Sequence, residues 1–174
     1  MLSGGSGDEF DPSGYSGLPN KFLFPKARLL YRFMSRDEYA RLKETSNKFH
    51  GNPLAINAQG KALSDALNRL IINPNFGEML YNHTMTASGG GSIGHKGELI
   101  ATTEDVDKLA QSTCHRVQAI VTNADYIVTF EVPQDAAIGA PSDLSKTEGE
   151  VLVPNDFQAL AAMMIDCSKN YYKK

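Results

Sequence analysis

Cysteine is scarce in this 174-residue chain: Cys114 and Cys167 are present, with no Cys-x-x-Cys spacing. A disulfide framework is therefore not expected. The four histidines, His50, His83, His95 and His115, follow neither His-Glu-x-x-His nor any other metal-ligating spacing. They read as surface or ordinary polar residues, and no metal is expected. Long apolar runs are missing as well. None approaches the roughly 18 residues of a transmembrane helix, so membrane insertion is not expected, and no charged-then-apolar secretory signal opens the chain. Positive charge is not in excess either. With 17 Lys+Arg against 20 Asp+Glu the formal net charge is −3, which gives no electrostatic argument for a nucleic-acid or membrane-surface partner.

What is present suits one ordinary domain with a real core. Hydrophobic residues make up 41% and charged residues 21%, as in soluble globular proteins. Residues 1–22 differ: Ser3-Gly4-Gly5-Ser6-Gly7 and Asp11-Pro12-Ser13-Gly14 bury too little apolar surface to offset their ordering entropy. The expectation is a flexible leader over 1–22 and a single domain over 23–174.

Within that domain, Arg28–Met34 reads as a strand. Ser35-Arg36-Asp37-Glu38 has the form of a capping box, and Tyr39 and Leu42 continue it as a helix over 36–45. Ala62, Leu63, Ala66, Leu67, Leu70 and Ile71 form the stripe of a second helix. Residues 73–97 have weak periodicity and read as a long loop. A strand over 97–103 leads into a helix with Thr103 as its cap. Val117–Val121 and Tyr126–Val132 read as two strands joined by a turn at Asn123-Ala124-Asp125. A polar loop fills 134–147, and residues 157–167 suit a helix and a buried strand about equally.

Gly89-Gly90-Gly91-Ser92-Ile93-Gly94 satisfies Gly-x-Gly-x-x-Gly literally. No helix opens after Gly94 and no βαβ unit surrounds it, which argues against a dinucleotide fingerprint. The chemistry points elsewhere, to Glu148-Gly149-Glu150-Val151-Leu152-Val153-Pro154. On a strand Glu148 and Glu150 would share one face, where like charges repel. A cationic ligand or transition state would offset that repulsion. The plain alternative is a solvated acidic strand start.

Tyr31-Arg32, Ala101-Thr102-Thr103 and Glu148-Gly149-Glu150 occur in the order and at the spacing that resemble bacterial mono-ADP-ribosyltransferase toxins of the arginine, serine-threonine-serine, glutamate-x-glutamate type. The likeness spans roughly residues 28–155. It is strongest to C-terminal toxin domains of Rhs proteins and of the C components of insecticidal Tc complexes. Ala101 departs from the pattern, having no hydroxyl. The resemblance implies an α+β fold of two small, mainly antiparallel sheets packed around an NAD cleft with flanking helices, and favours a strand over 157–167.

It also implies NAD+ as substrate, with no metal, and transfer of ADP-ribose to a macromolecular acceptor. That acceptor is a protein in the first instance, with nucleic acid as the other class. Glu150 would steady the ribosyl cation and Glu148 would face the acceptor. Arg32 would hold the dinucleotide, and Thr102 and Thr103 would bond ribose or brace the glutamate strand. Ser145 and Lys146 would touch the acceptor, and the Gly89–Gly94 loop with His95 or Lys96 would line the NAD entrance. A carrier toxin and an immunity protein are the implied partners, and a secreted or injected effector acting in the target-cell cytosol is the implied setting. An NAD glycohydrolase, or a catalytically inactive interaction domain on the same scaffold, are the alternatives.

Overall fold

The structure, a computed structural model, describes residues 28–85, 92–139 and 147–174. The leader expected over 1–22, Gly89-Gly90-Gly91 of the glycine-rich stretch, and Ser145 and Lys146 lie outside the described residues.

The first strand, β1 (Arg28–Met34), is apolar on both faces. Leu30 and Met34 enter one buried cluster, and Phe33, with Tyr31 beside it, enters another. Helix α1 (Arg36–Ser46) begins where expected: the Ser35 hydroxyl accepts from the Glu38 backbone N–H at 3.2 Å. The Glu38 carboxylate, however, turns to Arg32 and to the Ile93 N–H. Helix α2 (Pro53–Ile71) starts ahead of its visible stripe, with Pro53 in its first turn and Asn52 as its cap.

Two expectations are corrected here. The loop expected over 73–97 contains helix α3 (Phe76–Met85), anchored by the fully buried Phe76 and Leu80, one helical turn apart. The strand expected at Val117–Val121 is helix α5 (His115–Asn123). Val117 and Val121 face the core at i, i+4 while Ile120 is 51% exposed, so an apparently continuous apolar run is an amphipathic helix carrying one outward isoleucine.

Strand β2 (Leu99–Thr103) precedes helix α4 (Val106–Ala110), whose cap is Asp105 rather than Thr103. Strand β3 (Tyr126–Val132) is followed by a 3-10 turn at Gln134–Ala136 and the short strand β4 (Ile138–Gly139), inside what reads as polar loop. After β5 (Glu150–Pro154), Asp156 caps helix α6 (Phe157–Met163), which passes directly into strand β6 (Met164–Lys169). Residues 157–167 are therefore helix and then strand.

The six strands form one antiparallel sheet in the order β4-β5-β2-β1-β3-β6. This revises the expected pair of sheets packed face to face. β1 and β3 pair along their full length from Arg28↔Val132 to Met34↔Tyr126, and β2 and β5 from Leu99↔Pro154 to Thr103↔Glu150. Between β1 and β2 the register has one pair, Tyr31↔Thr103. The sheet is thus two three-stranded halves joined at a seam.

The largest core packs α1, α2 and α6 on β1 and β3 through Leu42, Leu63, Leu160, Leu30, Val128 and Phe130. A second, around Leu67, Phe76, Leu80 and Leu152, serves the β4-β5-β2 half, and Phe33, Val121 and Ile127 form a third under α4 and α5. Each such fully buried large side chain contributes about 1.5–3 kcal/mol. Both cysteines are free thiols, and no helix among the described residues is long and apolar enough to cross a membrane.

Candidate functional site at the sheet seam

The register brings Tyr31, Thr103 and Glu150 into one row across β1, β2 and β5. Directly paired residues on antiparallel strands lie about 4.5–5.5 Å apart and face the same side. Three segments far apart in sequence therefore meet at the one backbone rung recorded between the halves.

Arg32 follows Tyr31 and leaves β1 on the alternate side. Beyond the single rung the β1–β2 ladder stops, and the Arg32 guanidinium stands in for it: Nη1 donates to the Ala101 carbonyl at 3.0 Å. Nη2 donates to Glu38 Oε2 at 3.3 Å, an ion pair with side chains 15% and 7% exposed. The same Glu38 oxygen accepts from the Ile93 N–H at 2.8 Å. Glu38 thus ties Arg32 to the chain just after the glycine-rich segment. Sequence reading gave Glu38 only a capping role.

Thr102 and Thr103 are buried and brace the β5 side. Thr102 Oγ1 donates to the Val151 carbonyl at 2.8 Å. Thr103 Oγ1 lies 2.9 Å from the Glu148 carbonyl, 3.2 Å from that of Gly149 and 3.0 Å from that of Asp105, and accepts from the Asp105 N–H at 3.0 Å. A hydroxyl has one proton. The Gly149 and Asp105 carbonyls also accept from the Glu104 and Leu109 N–H groups, so the proton belongs on Glu148 O. Both threonine hydroxyls thus bond the main chain of the β5 side.

Glu148 and Glu150 do not share a strand face. Glu148 precedes β5 on a turn, and Gly149 has a φ of +64°, where a Cβ would stand 3.1 Å from Thr103 Oγ1. The turn sends the Glu148 side chain inward. It is buried, and its carboxylate accepts the Ser112 hydroxyl from the α4–α5 connector. The expectation that Glu148 faces an acceptor does not match this orientation. Glu150, at the head of β5, is half-buried.

Residues 92–97, which follow the glycine-rich segment, are held by Asn155. Its Oδ1 accepts from the Gly94 N–H at 2.6 Å, and its amide reaches the Ser92, Lys96 and Gly97 carbonyls at 3.3–3.4 Å. His95 Nε2 lies 2.9 Å from Arg41 Nη1. Asn155 and Ser112 carried no signal in the sequence and Glu38 only a capping one, because their contacts to Gly94, Glu148 and Ile93 span 61, 36 and 55 positions.

Two cavities lie away from the seam. One of about 420 Å³ between α1 and β6 is lined by Tyr39, Lys43, His50, Asp166 and Cys167. Burial pushes the Cys167 thiol above its ordinary value and so keeps it protonated at neutral pH. Another of about 560 Å³ borders Lys61, Asp65 and Asp135. Neither is lined by Arg32, Thr102, Thr103, Glu148 or Glu150. Among the described residues no group of three or more His, Cys, Asp and Glu side chains is placed to hold a metal ion. Comparison with family models, curated proteins and solved structures found no match.

Proposed function

We propose that the chain is a toxin-type mono-ADP-ribosyltransferase domain that cleaves NAD+ and transfers ADP-ribose to a macromolecule of a target cell. The observation that carries this reading is the Tyr31–Thr103–Glu150 row. The three motif elements behind the sequence resemblance lie on adjacent strands, at the seam between two half-sheets.

In this reading the nicotinamide–ribose bond breaks with its electron pair leaving on nicotinamide. The acceptor then forms a bond to the ribose carbon and gives up its proton. Positive charge develops on the ribose, and a fixed carboxylate stabilises it more than it stabilises the ground state. Glu150 is that carboxylate. The resemblance assigns the dinucleotide to Arg32, whose guanidinium has a permanent charge and a fork that suits phosphate oxygens; its side chain leaves β1 on the face opposite the Tyr31–Thr103–Glu150 row and bonds the Ala101 carbonyl and Glu38. Thr102 and Thr103 hold β5. Secretion or injection into a target-cell cytosol rests on the resemblance alone.

The test is incubation with NAD+ labelled in its adenylate half, with and without target-cell lysate. Label should move to a macromolecule, and Glu150→Ala should cut that transfer by about 10²–10³ with the fold intact by circular dichroism. Free ADP-ribose as the only product makes the protein an NAD glycohydrolase. Failure of the wild type to consume NAD+ removes the enzymatic reading and leaves the interaction domain, for which the missing hydroxyl at Ala101 is the specific support.

A further inference from the structure

Ser112 lies outside every motif, yet all its polar atoms are engaged. Its N–H donates to the Leu109 carbonyl at 3.0 Å, and its carbonyl accepts from Gln118 Nε2 at 2.7 Å. Its hydroxyl accepts from the Cys114 N–H at 3.1 Å and donates to Glu148 Oε2. Ser112 and Glu148 are 6% and 7% exposed. A carboxylate buried to that degree keeps its geometry only while its hydrogen-bond donor stays in place.

The turn carrying Glu148 is gripped at two points. Ser112 holds its side chain, and Thr103 holds its main chain through the Glu148 carbonyl. One residue later β5 begins with Glu150. Two grips fix both the position and the rotation of the turn. They therefore fix the direction in which the Glu150 Cα–Cβ bond leaves the strand.

Resting on the transferase reading, we infer that Ser112 is a positioning residue: through the buried Glu148 carboxylate it aims Glu150 at the ribosyl cation. Glu148 on this account acts on Glu150 through the turn and not on the acceptor. Removing the hydroxyl loosens one grip, and misplacement of a catalytic group by an ångström costs on the order of 10²-fold in rate.

The experiment measures kcat and KM for NAD+ consumption and for transfer in wild type, Ser112→Ala and Glu148→Gln, with thermal unfolding alongside. Gln keeps the shape and an oxygen that accepts from Ser112 but has no charge and cannot take a proton. For Ser112→Ala, both kcat values should fall by the same factor, about 10- to 100-fold, with KM for NAD+ within about twofold. Glu148→Gln, which keeps an acceptor for Ser112 but puts an amide NH2 in the buried position, should lower both activities by one common factor. Selective loss of transfer in Glu148→Gln overturns the inference, since Glu148 would then serve the acceptor. So does a Ser112→Ala protein that melts earlier but keeps the wild-type kcat per folded molecule, since its role would then be structural only. Those two outcomes leave the transferase reading standing, whereas a wild type that leaves NAD+ intact overturns both.

Discussion

Thr103→Val is the sharpest probe of the seam. Valine matches threonine in shape and replaces the hydroxyl with a methyl. Thr103 is 0% exposed, and its hydroxyl supplies the Glu148 carbonyl with a donor and the Asp105 N–H with an acceptor. The Gly149 and Asp105 carbonyls keep their N–H partners, and the Asp105 N–H belongs to an exposed residue. The loss therefore falls mainly on the buried Glu148 carbonyl. A net hydrogen bond of about 1 kcal/mol together with the cost of one orphaned buried acceptor gives about 2–3 kcal/mol. For a chain of this size that corresponds to a fall in Tm of about 5–10 °C. Thr103→Ser keeps the hydroxyl and loses one methyl, worth about 1 kcal/mol. Urea unfolding of the three proteins at neutral pH gives the ordering. Thr103→Val within about 0.5 kcal/mol of wild type, or Thr103→Ser as costly as Thr103→Val, would refute the hydrogen-bond assignment.

Arg32→Ala should cost about 3 kcal/mol or more, because it leaves the Glu38 carboxylate buried without its guanidinium. The double variant Arg32→Ala/Glu38→Ala should then lose less than the sum of the single losses in a denaturation cycle. Gly94→Ala should destabilise by about 2 kcal/mol or more, since φ is +83° and the new Cβ would stand 2.8 Å from Phe157 Cβ; an unchanged Tm would contradict this. Tyr172 donates to Asp107, and that bond, followed by burial, raises its pKa to about 12 from an ordinary 10.0. A raised value means that the contribution to stability is complete below pH 10.0 and disappears as pH climbs through about 12. Tyr172→Phe should abolish that part of the alkaline decline in a pH series of melts.

Much of the frame is legible in the residues. Arg28–Met34, Tyr126–Val132 and the Ser35 cap each declare themselves through apolar runs or local hydrogen-bond chemistry. α3 stayed hidden because its core contact rests on Phe76 and Leu80 among glycine, asparagine and threonine, too sparse a stripe to outweigh the loop-like composition. α5 stayed hidden because Ile120 points to solvent and fills a gap in its pattern. The ambiguity at 157–167 was real: Leu160 and the alanines pack as helix, and from Met164 the chain turns into an edge strand on β3. At the candidate site, residue types were readable but register was not. No local pattern says that Thr103 stands beside both Tyr31 and Glu150, or that Gly149 sends Glu148 inward toward Ser112.

The lone Tyr31–Thr103 rung has a mechanical consequence. On either side of it the strands are zipped along their whole lengths, so any fluctuation that parts the sheet breaks fewest bonds along this line. Deuterium should enter the amides bordering the gap ahead of those deep in the β1–β3 ladder. The halves would part there as a book opens at its spine, with the Arg32 guanidinium as the clasp.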